Sequence, residues 1–369
     1  MKIAIFLRDL GLGGVERCAV LVGEGLAAQG FDVTLVLLGG SRNLWAARIE
    51  RVKVVDLSEL APKWQPLKPL TWFSGWRAAR RIAREHDVVI AGTFLLPLYM
   101  AYCATLGLKK RVIAWVHGPF YELDAFAKMN PVHRAACQFV YRRLNELVFV
   151  SEHARNSMAR WLETPPKSGW QVLPNFVDAA QALPARIERA ADEPLRMLYV
   201  GRIATEKQPQ LWIDTLVALT LRGVQAQLTI VGDGPLEDEL RSEIEHRSLA
   251  KQITFAGRQD HVSDYLANAD VLLLTSNFEG CPLVVLEAMP MGLLVVSTNA
   301  GGVYELFAGR RSDFVVDEAT GEALAELIIR QQSQAGQLQY FLRQRATHYS
   351  QQSTVQQWTA LLNQPDELA

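Results

Sequence analysis

Long apolar runs are missing from this chain. Hydrophobic residues make up 49% of it, yet no run approaches the roughly 18 residues needed to cross a bilayer, so the apolar content belongs to packed cores. Cysteine is scarce and dispersed. Cys18, Cys103, Cys137 and Cys281 form no C-x-x-C pair, which excludes a disulfide framework and a cysteine zinc site and fits a reducing compartment, the cytoplasm by default. An Asp-x-Asp metal site is absent, as are low-complexity tracts and short internal repeats. The opening MKIAIFLRDLGLGG lacks the marks of a signal peptide, because Arg8 and Asp9 interrupt its apolar stretch and no small-residue cleavage site follows; it reads as a first strand. A dominant charge sign is also lacking, with a net charge of −1, and no nucleic-acid partner is expected. That near-neutrality hides an asymmetry. Residues 1 to 180 carry 23 Lys and Arg against 15 Asp and Glu, and the remainder carries 15 against 24. A basic half either meets an anionic partner or surface, or is simply one of two unequal domains.

What is present is alternation. At 369 residues the chain exceeds what one core usually serves. Short runs rich in Val, Ile and Leu alternate with helical stretches, the pattern of parallel sheets wound with crossover helices. In the first half, residues 2–8, 32–38, 87–93, 111–117 and 146–151 read as buried strands; in the second, 196–201, 226–232, 252–257, 270–276 and 293–298 do so. The polar, Ala-rich stretch 178–194 has no strand pattern and supplies a linker, placed at 181–193. The expected organisation is an α/β chain of two Rossmann-like doubly wound domains, 1–180 and 194–335, facing an interdomain cleft, then C-terminal helices over 336–369. Gly336 to Leu362 reads as helix with no strand to follow. Ligands of such sheets bind at the carboxyl ends of the strands, so function is sought in the loops there.

The first such loop, Asp9 to Arg17, contains Gly11, Gly13 and Gly14 before a helix beginning near Val15. Glycines let backbone approach a ligand, and amides at a helix start favour an anion. A dinucleotide fingerprint would place a third glycine where Glu16 stands and an acid after the second strand, where Gly39 and Gly40 follow instead. The loop therefore reads as an anion cradle or as a tight turn. Trp115-Val116-His117-Gly118-Pro119 puts an imidazole at the end of a buried strand, as a ligand contact or a structural histidine. In the second half, Gly201 to Lys207 sets Arg202 and Lys207 on one loop, where two cations would hold a diphosphate. Val231-Gly232-Asp233-Gly234-Pro235 reads as a strand-to-helix turn.

The most specific feature is Phe278-Glu279-Gly280-Cys281-Pro282-Leu283-Val284-Val285-Leu286-Glu287-Ala288-Met289, a loop opening into an apolar helix. Glu287 lies one turn beyond Leu283, where a buried carboxylate needs partners that ribose hydroxyls would supply. Glu279 precedes the helix, where a sugar hydroxyl would meet a carboxylate and free amides. The plain alternative is a helix cap and one satisfied core glutamate.

With its two glutamates seven residues apart, the chain resembles the retaining nucleotide-sugar glycosyltransferases of GT-B type, the large family that includes bacterial lipopolysaccharide, capsule and exopolysaccharide transferases. The likeness spans nearly the whole chain: Gly13-Gly14, His117, Pro174-Asn175-Phe176-Val177-Asp178, Gly201-Arg202 with Glu206-Lys207, and Glu279 to Glu287 occur in the family's order. It implies that Arg202 and Lys207 hold the donor diphosphate, that Glu287 binds ribose, and that Glu279 contacts the donor sugar with Gly280, Cys281 and Pro282. Arg258, Leu283 and Val284 join the nucleotide side, and Gly13, Gly14 and His117 approach diphosphate and sugar from the N-terminal domain. The catalytic set it implies is Arg202, Lys207, Glu279 and His117. It also implies a last helix that crosses back to the first domain. Cys281-Pro282 stands where many relatives carry an aromatic residue and Gly, and Met289-Pro290-Met291-Gly292 is unusual at the helix end; both bear on donor selectivity more than on reaction type.

The expected reaction is retaining transfer of a hexose-type sugar, from a UDP-sugar before a GDP-sugar, to a hydroxyl of a glycan or glycolipid in cell-surface polysaccharide or lipopolysaccharide synthesis. No covalent nucleophile is implied, and front-face displacement with the leaving diphosphate taking the acceptor proton is the expected route. No cofactor or metal is expected. A nucleotide-sugar epimerase and a non-catalytic sugar-nucleotide-binding protein are the alternatives. The segment Leu70 to Arg84 mixes aromatics and arginines and reads either as an ordinary crossover helix or as a docking element for the anionic inner face of the cytoplasmic membrane.

Overall fold

The computed structural model describes every residue except 12, 40–44, 62–70, 177–183, 191, 260 and 365–369. Leu12, Leu70, Val177, Asp178 and part of the expected linker thus lie outside the described residues. The chain divides into two compact units, Met1–Asp178 together with Gln351–Ala369, and Ala179–Ser350.

In the first unit, β1 (Lys2–Leu7), β2 (Asp32–Leu37), β3 (Lys53–Asp56), β4 (Val88–Ala91), β5 (Arg111–Val116), β6 (Glu146–Phe149) and β7 (Trp170–Val172) form one parallel sheet in the order β3-β2-β1-β4-β5-β6-β7. A sheet covered on both faces needs strands that are apolar throughout, and Ile3 to Leu7 are all 0% exposed. The five expected strands are present, each slightly shorter than read. β3 and β7 are additions. They form the two edges of the sheet, where KVVD and WQV are short and mostly half-buried, so neither shows the continuous apolar run of an interior strand.

The second unit holds β8 (Leu195–Val200), β9 (Ala226–Val231), β10 (Ile253–Gly257), β11 (Val271–Leu274) and β12 (Leu294–Ser297), all parallel, in the order β10-β9-β8-β11-β12. In each unit the strand order reverses beside the first strand, between β1 and β4 and between β8 and β11, and a crevice for ligands opens at such a switch point. From the linker region, Arg186 and Arg189 reach Asp270 at 3.8 and 3.2 Å, so this stretch is pinned to the second unit.

The C-terminal stretch is broken within the segment that reads as helix. It forms Ala335–Ala346, a short 3-10 turn at Thr347–Tyr349, and Gln351–Asn363. The last helix is part of the first unit, where it packs on the helix Gly14–Ala28 with Val355 seated at Gly25, too close for any Cβ there.

Candidate functional site

Two glycines set the loop geometry at the ends of β8 and β9. Gly201 and Gly232 hold φ of +152° and +134°, and a Cβ on Gly232 would overlap the Gly201 carbonyl oxygen. This lets the loop after β9 nest on the loop after β8, where the Ile203 amide donates to the Asp233 carbonyl at 2.8 Å. The buried Tyr199 hydroxyl donates to the Arg202 carbonyl at 2.9 Å and fixes the backbone there. Burial, then the Glu279 and Glu206 carboxylates, raise the Tyr199 phenol well above its usual range, so it stays a donor. The Arg202 side chain is exposed and forms no ion pair among the described residues, and Arg258, directly after β10, is equally exposed. Both are cations available to a ligand.

Lys207 ends a 3-10 turn, Thr205–Lys207, and its ammonium donates to Glu279 Oε1 at 2.6 Å. The Ser276 hydroxyl donates to the same oxygen at 2.7 Å. Both side chains of the pair are partly buried, at 22% and 17% exposure, so the charges are only partly screened by water. The backbone beneath is held as tightly. Trp212 Nε1 donates to Thr275 Oγ1 at 2.6 Å, and that hydroxyl donates to the Lys207 carbonyl at 2.6 Å. Glu279 itself is fixed at both ends, its amide donating to the Ala300 carbonyl at 2.7 Å and its carbonyl accepting from Gly302 at 3.1 Å.

The helix Leu283–Met291 follows. Its buried residues are Val285, Leu286, Ala288, Met289 and Met291. Leu283, Val284 and Glu287 are only half-buried and share the remaining face. Glu287 is therefore at the rim of the helix rather than inside the core, because its i−4 neighbour Leu283 lies on the same open stripe. As the first helical residues, Leu283 and Val284 have amides with no intrahelical acceptor, and Pro282 before them offers no side-chain cap. Gly280, Cys281 and Pro282 are buried, with Cys281 6% exposed and outside any disulfide.

In the first unit, Gly13 is the extended residue before the helix Gly14–Ala28 and has no side chain to cap it. The Glu16 carboxylate folds back against Gly13, where a Cβ would displace it. Burial, with Asp9 nearby, raises its pKa, against its own backbone amide and Arg8. His117 stands at the end of β5 with Nε2 3.1 Å from the Gly92 carbonyl. A carbonyl only accepts, so Nε2 carries the proton and Nδ1 is an acceptor. Burial lowers the imidazole pKa to about 4, with the Gly92 bond opposing. Because the folded value lies below the ordinary 6.5, the stability tied to this ring is complete above pH 6.5 and is lost as pH falls towards about 4. Imidazole nitrogen shifts in an NMR titration check this: His117 stays neutral at pH 6, and protonation there would remove the assignment. Pro174 and Asn175 join two helices of this unit, Asn175 Oδ1 accepting from Cys18 Sγ at 3.4 Å and the Pro174 carbonyl from Thr354 at 3.5 Å.

Lys207 and Glu279 are thus brought into contact across 72 positions of sequence, with Arg202, Arg258 and the Leu283–Glu287 face following β8, β10 and β11 of the same sheet. Ser276, Thr275, Trp212 and Tyr199 were not legible as part of this site. Each lies in or beside an apolar strand or helix, where a hydroxyl or indole reads as core.

Residues 12–181 match the family described as Glycosyltransferase Family 4, and residues 184–348 match Glycosyl transferases group 1. An uncharacterized glycosyltransferase of Haemophilus influenzae is 24% identical over 98% of this chain and 99% of its own length. The amylovoran biosynthesis glycosyltransferase AmsK of Erwinia amylovora is 31% identical over 48% of this chain and 46% of its own. Among solved structures, Anabaena HepE in complex with UDP and glucose superposes with a TM-score of 0.80 at 18% identity, covering 98% of this chain and 99% of that one. The fold is thereby the GT-B fold. Both halves of its sequence and the architecture of its sheets agree: the chain belongs to the group 1 and family 4 glycosyltransferases.

Proposed function

We propose that this glycosyltransferase moves a hexose-type sugar from a nucleoside diphosphate donor, UDP before GDP, to a hydroxyl of a glycan or glycolipid acceptor in the synthesis of a cell-surface polysaccharide or lipopolysaccharide, with retention at the anomeric carbon. The observation that carries it is the Lys207–Glu279 contact beside the exposed Arg202 and the open helix start at Leu283 and Val284. Cations and free amides at one end of a sheet suit a diphosphate, and a carboxylate held by Lys207 and Ser276 suits the hydroxyls of the attached sugar. Glu287, on the open stripe one turn further, takes the ribose. His117, neutral with Nδ1 as acceptor, suits a sugar hydroxyl as donor.

In the proposed reaction the bond from the anomeric carbon to the diphosphate oxygen breaks and a bond to the acceptor oxygen forms on the same face. The acceptor proton passes to the departing diphosphate. Arg202 and Lys207 stabilise the charge that builds up there, so no metal is needed. The amylovoran-making relative and the HepE structure with UDP and glucose support the substrate class.

A thermal-shift panel of UDP- and GDP-sugars tests the donor. A selective ligand at 100 times its Kd adds about 2.7 kcal/mol and a clear rise in Tm. Proton NMR of the product then gives the anomeric configuration. Donor turnover that needs no acceptor and yields an isomerised nucleotide sugar would make the protein an epimerase, and an inverted product would end the retaining assignment.

A further inference from the structure

We infer that the first unit carries a docking face for an anionic lipid bilayer, built by the helices Trp72–Glu85, Leu96–Thr105 and Pro131–Arg143. The helix Trp72–Glu85 turns Gly75, Ala78, Ala79, Ile82 and Ala83 to the core, so packing is satisfied by small residues and one isoleucine. Its other face begins with Trp72 and Phe73, 39% and 65% exposed. Exposed Arg77, Arg81 and Arg84 continue from Phe73 at helical spacing, a single stripe of aromatic then cation. Phe73 stacks on Trp76 at 5.7 Å with Arg77 over its ring at 5.8 Å, and Phe73 and Arg77 remain exposed all the same.

Two grooves flank the stripe. One, of about 630 Å³, runs between this helix and Leu96–Thr105 and is lined by Trp72, Phe73, Trp76, Tyr99, Met100 and Leu106 among others. The second, of about 750 Å³, is lined by Arg77, Arg80, Arg81 and Arg84. Among the described residues neither lining includes an Asp or Glu. The apolar surface continues across the neighbouring helices. Leu106 is 50% exposed, Tyr102 meets Phe139 edge-on at 6.4 Å, and Phe139 and Val132 are 49% and 74% exposed. Arg143 lies 3.5 Å from the Phe139 ring centroid.

Exposed aromatic and aliphatic groups with guanidinium groups beside them, on one side of three adjacent helices, match the boundary between acyl chains and anionic headgroups. A nucleic acid or other soluble polyanion would use the arginines but leave Val132 and Leu106 in water. The apolar residues beside the arginines therefore commit the face to a bilayer. The inference uses none of the proposed donor residues and stands apart from that reading.

Flotation of the intact protein with vesicles of phosphatidylcholine, alone or mixed with phosphatidylglycerol, tests it. Binding to the mixed vesicles only, weakening as salt is raised, is expected. Each arginine near an anionic surface contributes about fivefold, so the triple change Arg77→Gln, Arg81→Gln and Arg84→Gln should weaken binding on the order of 100-fold. Phe73→Ser should weaken it while leaving the salt dependence in place. These side chains are exposed, so unchanged melting of each variant accompanies the expected result; if the triple change unfolds the protein, the Phe73 variant and the salt series decide. Three outcomes would overturn the inference: no vesicle binding, equal binding to neutral vesicles, or retention on heparin without vesicle binding.

Discussion

Lys207→Ala is expected to lower kcat by about 10²- to 10³-fold, the loss seen when one donor to a developing anion is removed. The expectation rests on where the side chain is held. The Lys207 carbonyl accepts from Thr275, whose hydroxyl is itself held by Trp212, so the backbone of the turn survives truncation of the side chain. What disappears is one ammonium, 2.6 Å from Glu279 Oε1, on the loop that also carries Arg202. Glu279 keeps its Ser276 partner at 2.7 Å, so the unit stays folded while the charge balance of the site changes.

Two readings of that loss separate in a double variant. If Lys207 acts only by orienting Glu279, then Lys207→Ala made in a Glu279→Gln background costs nothing further. If Lys207 also holds the leaving diphosphate, most of the loss persists, and nucleotide affinity falls with it. Glu287→Gln gives a contrasting signature: a carboxylate that binds ribose in ground state and transition state alike raises KM more than it lowers kcat. Transfer within a few-fold of the parent in both Lys207→Ala and Glu287→Gln would remove the proposed site.

The same residues show what a linear reading can reach. Strand interiors were legible because a doubly covered parallel sheet demands unbroken apolar runs, as in Ile3 to Leu7 and Val271 to Leu274. β3 and β7 escaped because an edge strand is half-solvated and short. The position of the helix break between Ala346 and Gln351 escaped for another reason. The two helices serve different units, and a local pattern carries no record of which unit buries a face. Within the site, Glu279 and Lys207 were each visible as unusual residues on strand-end loops. Their contact spans 72 positions and depends on the pairing of β8 with β11. Glu287 was read as buried because its neighbours are apolar, yet Leu283 and Val284 are half-buried with it and define an open stripe. Apolar sequence around a carboxylate does not distinguish a core from a ligand-facing rim.

The largest effect on stability is expected from Arg111→Ala. Arg111 opens β5 and is 7% exposed. Its Nε and Nη2 donate to the two carboxylate oxygens of Glu146 at 2.7 and 2.6 Å, a bidentate pair across neighbouring strands. The guanidinium also reaches the end of the last helix, donating to the carbonyls of Leu361 and Leu362 at 2.9 Å and of Gln364 at 3.2 Å. Those carbonyls belong to the terminal turn, where Leu361 also accepts from the Gln364 amide at 3.2 Å, and the cation suits the negative end of the helix dipole. Removing Arg111 strands both the Glu146 carboxylate and the helix end. Breaking a buried pair from one side costs about 3 to 5 kcal/mol, which in a unit of this size lowers Tm on the order of 10 °C. Glu146→Gln keeps the helix-end contacts and a hydrogen-bonding partner, so it should cost less. Hydrogen exchange separates this latch from general destabilisation. In Arg111→Ala, amides of Gln351–Asn363 should lose protection before those of β1, because the C-terminal end of that helix is then held by the packing of Trp358 and Leu362, while the bonds from Gln351 to Leu21 and from Thr354 to Pro174 hold only its start. Unchanged melting with unchanged protection of that helix would show that apolar packing against Gly14–Ala28 suffices and that Arg111 is no latch.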